Sequence, residues 1–381
     1  MIKVTDNIPT VFLASCLPSD RWTSIDVYTD GVEAGLRTYA DSFMVQRLSP
    51  VGAYVHSRVV RALVRRTTYP MLVQRMLRRQ DPMALAHIMD HFYAYLLPGN
   101  HHGLITCHDL AEYHVTELSA GQLRRWKQRV QHIRRASLVF ADSAHTAADI
   151  QNLLGVTPDR IVVNYLGIDD AFGPLPPDHT YSPCAAHLNV LSKQHFLALH
   201  VGSTTKRKNI SGLLHALSKL RKEGVPILLV KVGVSVTTGA YANLVRQLGL
   251  TDAVVECGFA SRQDLVEIYN VCDVLLQPSL YEGFGFPPLE AQACGLPCVL
   301  SNTASLPEIG GDAALYHDPT SKDGIIESVM QLRSKRDLRE SLIAQGYMNA
   351  RRFTWDKHVE TLMEGYRRVL AMSHGRRTYS T

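Results

Sequence analysis

Residues 274–301 read VLLQPSLYEGFGFPPLEAQACGLPCVLS. The apolar run Val274-Leu275-Leu276, ended by Pro278-Ser279, predicts a buried strand. Gly283 and Gly285 bracket Phe284 in a tight loop, and Pro287-Pro288 fixes φ for the first turn of a helix. Leu289 to Cys294 continue that helix, Gly295 closes it, and Cys298-Val299-Leu300 predicts the next strand. A strand–loop–helix–strand unit pairs its strands in parallel with a right-handed crossover, so the fold class is α/β. The loop has chemical direction too. Glycines ahead of a helix let backbone N–H groups approach a ligand, and the helix N-terminus favours phosphate. Glu282 in the loop and Glu290 in the helix are carboxylates that can each accept two hydrogen bonds from a diol, as a ribose or hexose offers.

The run from Glu282-Gly283-Phe284-Gly285 to Glu290 continues into Ala293-Cys294-Gly295-Leu296-Pro297, Ser305-Leu306-Pro307-Glu308 and Gly310-Gly311-Asp312-Ala313. In that order it resembles the E-x7-E signature of retaining glycosyltransferases of family 4. The bland alternative is an ordinary βα unit with two solvated Glu residues. The resemblance extends over nearly the whole chain and is densest from Phe196 to Tyr366. It implies the GT-B fold: two Rossmann-like domains facing a central cleft, with the nucleotide held mainly by the second. On this pattern residues 1–175 form the N-terminal, acceptor-side domain and 176–194 a linker. Residues 195–354 form the nucleotide-sugar-binding domain, and a C-terminal helix, 355–372, crosses back to the first domain.

The rest of the chain fits two α/β domains, as its 381 residues suggest. Strands are expected at Val11–Cys16, Phe43–Arg47, Ala86–Ile88, Leu104–Cys107, Ser137–Ala141 and Ile161–Val163. Pro174, Pro176, Pro177 and Pro183 mark the linker. A second strand–loop–helix mouth follows, with strand Phe196–Val201, loop Gly202-Ser203-Thr204-Thr205-Lys206-Arg207-Lys208-Asn209 and a helix from Ile210. Arg207-Lys208-Asn209 resembles the family's R-K-N variant, whose basic pair contacts the donor diphosphate. Elsewhere in the family an Arg directly follows the glycine. Here that position is Ser203, so Arg207 has to supply the contact. His108, at the end of Leu104–Cys107, matches the family's N-terminal-domain histidine near the donor sugar, with His91 as a second candidate. The family's first-loop glycine pair has no counterpart. Gly31 and Gly35 come too late, and the loop 18–31 is left without a role.

The formal net charge of +5 is mild and does not call for nucleic acid, and no nucleic-acid motif is present. Seven cysteines, with no C-x-x-C, read as reduced thiols of a cytoplasmic protein. Neither a secretory signal nor a transmembrane run is expected. Arg58, Arg61, Arg65, Arg66, Arg75, Arg78 and Arg79 fall in a stretch without acids, and a second basic cluster spans Arg124–Arg135. These are either solvated helix faces or a surface drawn to anionic membrane or a phosphorylated lipid. The second reading puts the protein on the inner face of the cytoplasmic membrane through Arg58–Arg79.

The reaction that the resemblance implies is transfer of a hexose from a nucleotide diphosphate sugar to a glycan or lipid-linked glycan, with retention. Arg207, Lys208 and the mouth Gly283–Pro287 would stabilise the leaving nucleoside diphosphate. Glu282 would hold the donor hexose, Glu290 the ribose, and His108 the sugar from the other domain. Gly202, Ser203, Gly283, Phe284 and Gly285 would line the donor. The chain contains no D-x-D, which agrees with cationic side chains replacing a metal, and no cofactor beyond the donor is expected. The R-K-N variant resembles bacterial polysaccharide mannosyltransferases and points to GDP-mannose. Two other classes use the same nucleotide site: a GT-B epimerase, which needs no acceptor, and a catalytically silent sugar-nucleotide-binding subunit.

Overall fold

The computed structural model describes residues 8–16, 23–38, 42–48, 64, 67–78, 84–97, 102–321 and 323–377. The chain divides into two compact units. One comprises Met1–Leu110, Leu118–Gly167 and Trp355–Thr381; the other comprises Ala111–Glu117 and Ile168–Thr354.

The first unit is built on a six-stranded parallel sheet of β1 (Thr10–Ala14), β2 (Met44–Leu48), β3 (Leu85–Ile88), β4 (Gly103–Cys107), β5 (Leu138–Ala141) and β6 (Ile161–Val163). The strand order is β2-β1-β3-β4-β5-β6. β3, β4 and β5 are buried along their whole length, which is why they read as apolar runs rather than alternating ones. The helix Ala144–Leu154 begins where Ser143 accepts a hydrogen bond from Thr146 N at 3.0 Å, and ends at left-handed Gly155.

The last helix, Trp355–Arg377, packs within this first unit. Its docking explains two glycines in the helix Thr23–Arg37. A Cβ on Gly31 would lie 2.7 Å from Trp355 Cη2, and one on Gly35 would lie 2.4 Å from Val359 Cγ2. Beneath them runs a buried polar chain. His87 Nδ1 lies 2.8 Å from the Tyr366 hydroxyl and His87 Nε2 lies 2.9 Å from Thr106 Oγ1, which in turn is 2.9 Å from the Tyr28 hydroxyl. Burial, with His358 and His108 nearby, lowers His87 to about 3. The ring is therefore neutral and bonds to hydroxyls rather than to a carboxylate.

The second unit carries β7 (Phe196–Gly202), β8 (Ile227–Gly233), β9 (Val254–Gly258), β10 (Val274–Gln277), β11 (Cys298–Ser301) and β12 (Ala314–His317). All neighbours are parallel, in the order β12-β11-β10-β7-β8-β9. The chain winds outward from β7 to β9 and then restarts on the other side of β7 at β10. The loops leaving β7 and β10 thus flank the point where strand order reverses, the place where open α/β sheets receive ligands.

Two expectations change. The stretch 176–194 is not simply a linker. Pro183 opens the helix Pro183–Leu191, whose Ala185 and Leu188 are buried, with Leu188 in the core of the second unit. Glu267 accepts from Ser182 N at 2.7 Å and lies 3.0 Å from His179 Nε2, tying the approach to that helix down. The division between the units accordingly falls after Gly167 rather than at 175. Pro70 sits in the first turn of the helix Thr68–Arg78, where its missing N–H costs nothing. Of the basic stretch, Arg58, Arg61, Arg65, Arg66 and Arg79 lie outside the described residues, as does the loop 17–22, whereas Arg75 is exposed.

Gly35→Ala sets helix propensity against packing. Alanine is intrinsically better in a helix by about 1 kcal/mol, but overpacking against a β-branched neighbour costs about 1–3 kcal/mol. Chemical denaturation of the first unit is expected to show net destabilisation by Gly35→Ala, relieved when Val359→Ala is added to the same chain.

Candidate functional site

The loop leaving β7 turns through Lys206–Lys208 into left-handed Asn209 (φ 52), whose side chain accepts from Gly212 N and starts the helix Ile210–Lys222. Gly202 has φ +135, and a Cβ there would be 3.4 Å from Lys208 Cε. Glycine is thus required twice over, for the backbone and for the passage of the lysine beneath it. The loop leaving β10 runs through Glu282 to left-handed Gly285, after which Phe286, Pro287 and Pro288 open the helix Phe286–Ala293. A backbone hydrogen bond from Leu280 N to Arg207 O, 2.7 Å, ties the two loops together.

Glu282 is the centre of the site. Its Oε1 accepts from Lys208 Nζ at 2.6 Å, Gln277 Nε2 at 2.7 Å and Ser279 Oγ at 2.6 Å, and its Oε2 accepts from Arg207 Nη1 at 2.7 Å. Burial alone would raise this carboxyl. Lys208 and Arg207, helped by hydrogen bonds from Lys208 and Ser279, bring it down to about 2. Oε1 is filled, whereas Oε2 keeps capacity for a further donor. The Lys208 side chain is 9% exposed and that of Arg207 31%, so the guanidinium is the cation that meets solvent.

The mouth beside Glu282 is held from behind. Ser305, fully buried, donates to the Phe284 carbonyl at 2.6 Å and lies 2.9 Å from the Glu282 carbonyl. Phe284 is buried against the rings of Phe286 and Phe353. Its place is thus structural support for the loop between Gly283 and Gly285. One helical turn into the helix, Glu290 is partly buried and its Oε2 accepts from the Tyr269 hydroxyl at 2.7 Å. Burial raises Glu290 to about 7, only partly opposed by Tyr269 and Arg262. A carboxyl with one hydrogen-bond partner among the described residues has spare acceptor capacity for hydroxyls.

His108 lies in the first unit, after β4. Its Nδ1 is 2.7 Å from Asp142 Oδ2 and its Nε2 is 3.0 Å from the Met89 carbonyl. Both neighbours accept hydrogen bonds, so the ring is satisfied only with a proton on each nitrogen. Burial opposes the charge, but Asp142, then Asp90 and the Met89 carbonyl, raise His108 to about 9. It is an imidazolium with neither ring nitrogen open to a sugar hydroxyl in this conformation. His91 is buried against Phe92 and Trp126.

The structure thus brings Arg207, Lys208 and Glu282 together, with Gly202 and Ser203 on the β7 loop, Gly283 to Gly285 on the β10 loop and Glu290 one turn into its helix. Gln277, Ser279 and Ser305 were not singled out as site residues. A polar Gln closing the apolar run Val274–Leu276 was the available signal for the first.

The family described as "Glycosyl transferases group 1" matches residues 189–349, and "Glycosyltransferase Family 4" matches residues 24–172. The chain is 30% identical over 343 residues to the O-antigen chain mannosyltransferase B of Escherichia coli, covering 85% of this chain and 86% of that one. It is 28% identical over 278 residues to the serotype-specific mannosyltransferase WbdA of Escherichia coli, covering 70% of this chain but only 33% of that longer one. Among solved structures, sucrose-phosphate synthase from Thermosynechococcus elongatus superposes with a TM-score of 0.75 at 18% identity, covering 96% of this chain and 99% of that one. That likeness speaks for the fold alone.

Glu290 makes a signed prediction. Its folded pKa lies above the unfolded value, so the fold is most favoured below the unfolded pKa, where the carboxyl is neutral, and that stability is lost as pH rises through about 7. Glu290→Gln is expected to raise the Tm at pH 8, the gain shrinking towards pH 4.5. An equal gain at both pH values would contradict the assignment.

Proposed function

The chain belongs to glycosyltransferase family 4, and from that membership we propose that it moves mannose from GDP-mannose to a glycan or lipid-linked glycan acceptor, retaining the anomeric configuration. The observation that carries the reading is the convergence of Arg207 and Lys208 on Glu282 at the switch point of the second sheet. The choice of mannose rests on the relatives, one named an O-antigen chain mannosyltransferase and the other a serotype-specific mannosyltransferase.

In transfer, the bond between the anomeric carbon and the diphosphate oxygen breaks, and negative charge grows on the leaving nucleoside diphosphate. Arg207, already oriented by Glu282 and partly exposed, and Lys208 behind it are preorganised cations for that charge. They need no metal to act, so we propose that turnover is metal-independent. The helix Phe286–Ala293 opens at the same loop, and its dipole favours an anion there, although Pro287 and Pro288 contribute no N–H. Glu282 keeps Oε2 for the donor hexose, and Glu290 accepts from the ribose hydroxyls. For His108 we propose only a place near the donor sugar, since Asp142 and the Met89 carbonyl engage both ring nitrogens.

Among the described residues, no helix is long and apolar enough to cross a membrane. We place the protein on the inner face of the cytoplasmic membrane, held by its basic segments. In the described part these include Arg124 and Arg125, exposed on the helix Ala120–Val130.

The test is product analysis with GDP-mannose, with and without a mannan-type acceptor. Retention gives an α-linked mannoside by NMR, formed only with acceptor and undiminished by EDTA. A rearranged sugar formed from donor alone would identify an epimerase, and no product from any donor would favour a silent binding subunit. Lys208→Ala is expected to lower kcat by about 100-fold or more; full activity would remove the role assigned to it.

A further inference from the structure

Behind the cationic mouth lies a row of ionisable side chains that the proposed reaction does not use. His200 on β7, Lys231 on β8 and Glu256 on β9 are register partners, His200 with Lys231 and Lys231 with Glu256, so the three stand side by side on one face of the sheet. His200 and Lys231 have no exposed surface. A buried lysine is expensive unless its ammonium is used. Here Lys231 Nζ donates to the carbonyl of Gly202 at 2.7 Å and to that of Val232 at 2.6 Å. The Gly202 carbonyl also accepts from Val234 N at 3.3 Å, so it is held from two directions. Glu256 does the complementary work on the next loop. Its Oε1 accepts from Val236 N at 2.8 Å, Thr237 N at 2.9 Å, Ser235 Oγ at 3.0 Å and Thr237 Oγ1 at 3.1 Å.

The consequence lies in peptide geometry. In a trans peptide the N–H points opposite to the C=O. Anchoring the Gly202 carbonyl inward on Lys231 therefore turns the N–H of Ser203 away from the ammonium, outward at the carboxyl end of β7. The close approach of the paired strand ends requires glycine at 233, since a Cβ there would sit 2.5 Å from the Gly202 oxygen.

We propose that Lys231 is a positioning residue for the donor diphosphate: by holding the Gly202 carbonyl it presents the Ser203 N–H to a phosphate oxygen and keeps the carbonyl dipole out of the anion's way. This rests on the reading of the second unit's mouth as the nucleotide site. Lys231 does not touch the donor itself. The charged and titratable groups around it are Glu256 on β9, His200 on β7 and Lys208 in the turn after β7. Burial lowers Lys231 to about 8, with Glu256 holding it up and Lys208 pushing it down. Burial, Lys231 and Lys208 keep His200 well below its ordinary value, hence neutral.

The experiment titrates GDP and, separately, guanosine into the full-length wild type, Lys231→Met and Glu256→Gln. Lys231→Met is expected to weaken GDP about tenfold through lost orientation of a charge-assisted contact, while guanosine binding is unchanged. A merely structural loss would weaken both alike, and that result, or undiminished GDP binding, overturns the proposal. In the wild type, GDP affinity is expected to fall severalfold as pH rises through about 8. Glu256→Gln moves that midpoint lower, because the acid that holds the ammonium charged is gone. A wild-type profile flat across this range, or a midpoint unmoved in Glu256→Gln, overturns the proposal even where Lys231→Met fails to fold. Failure of the wild type to bind any nucleoside diphosphate at neutral pH is a different result. It overturns the functional reading itself, and this inference with it.

Discussion

The pairing of Glu282 with Arg207 and Lys208 is the contact on which the second unit's chemistry depends. Two cations placed side by side at the carboxyl end of a central strand repel each other, and Lys208 is almost wholly out of water. A buried ammonium without a partner is strongly unfavourable. One carboxylate compensates both, and because its two oxygens face different partners it also fixes their directions. The cations arrive with the loop after β7 and the carboxylate with the loop after β10. The salt bridges therefore close the strand-order reversal into a rigid mouth, with the Arg207 guanidinium at its open side. Such preorganisation lets positive charge act on a leaving diphosphate without reorganising at the moment of transfer.

Much of this was legible in the sequence because local punctuation carries it. Glycines and prolines at Gly283, Gly285, Pro287 and Pro288 mark loop and helix start, and apolar runs mark strands buried on both faces. The resemblance to family 4 put both loops on the donor, but not the ion pair between them, which joins residues 75 apart in the chain. What remained hidden depends on register and on distant packing. The row His200–Lys231–Glu256 exists only because three parallel strands pair in one alignment, which no single strand encodes. Gly31 and Gly35 had no visible use because the helix they accommodate begins at Trp355. Prolines near 174–183 read as a linker, although Pro183 is well suited to open a helix and does so.

The histidines carry the same lesson. His87, His200 and His108 are all drawn into polar surroundings, yet their charge states diverge. His87 meets hydroxyls and stays neutral, and His200, buried with Lys231 and Lys208 nearby, stays neutral too. His108 meets a carboxylate and a carbonyl and is charged. A strand-terminal histidine in a sequence gives no sign of which partner the fold will supply. That partner decides whether it offers a lone pair or a positive charge.

The most direct test of the central claim is calorimetric titration of guanosine, uridine and adenosine diphosphates, in EDTA, into the wild type and into a chain carrying both Arg207→Ala and Lys208→Ala. The account predicts that GDP binds the wild type with EDTA present, and that the doubly substituted chain, still folded by its Tm, does not bind it. Equal binding by the two chains, or no nucleotide bound by the wild type, would contradict it.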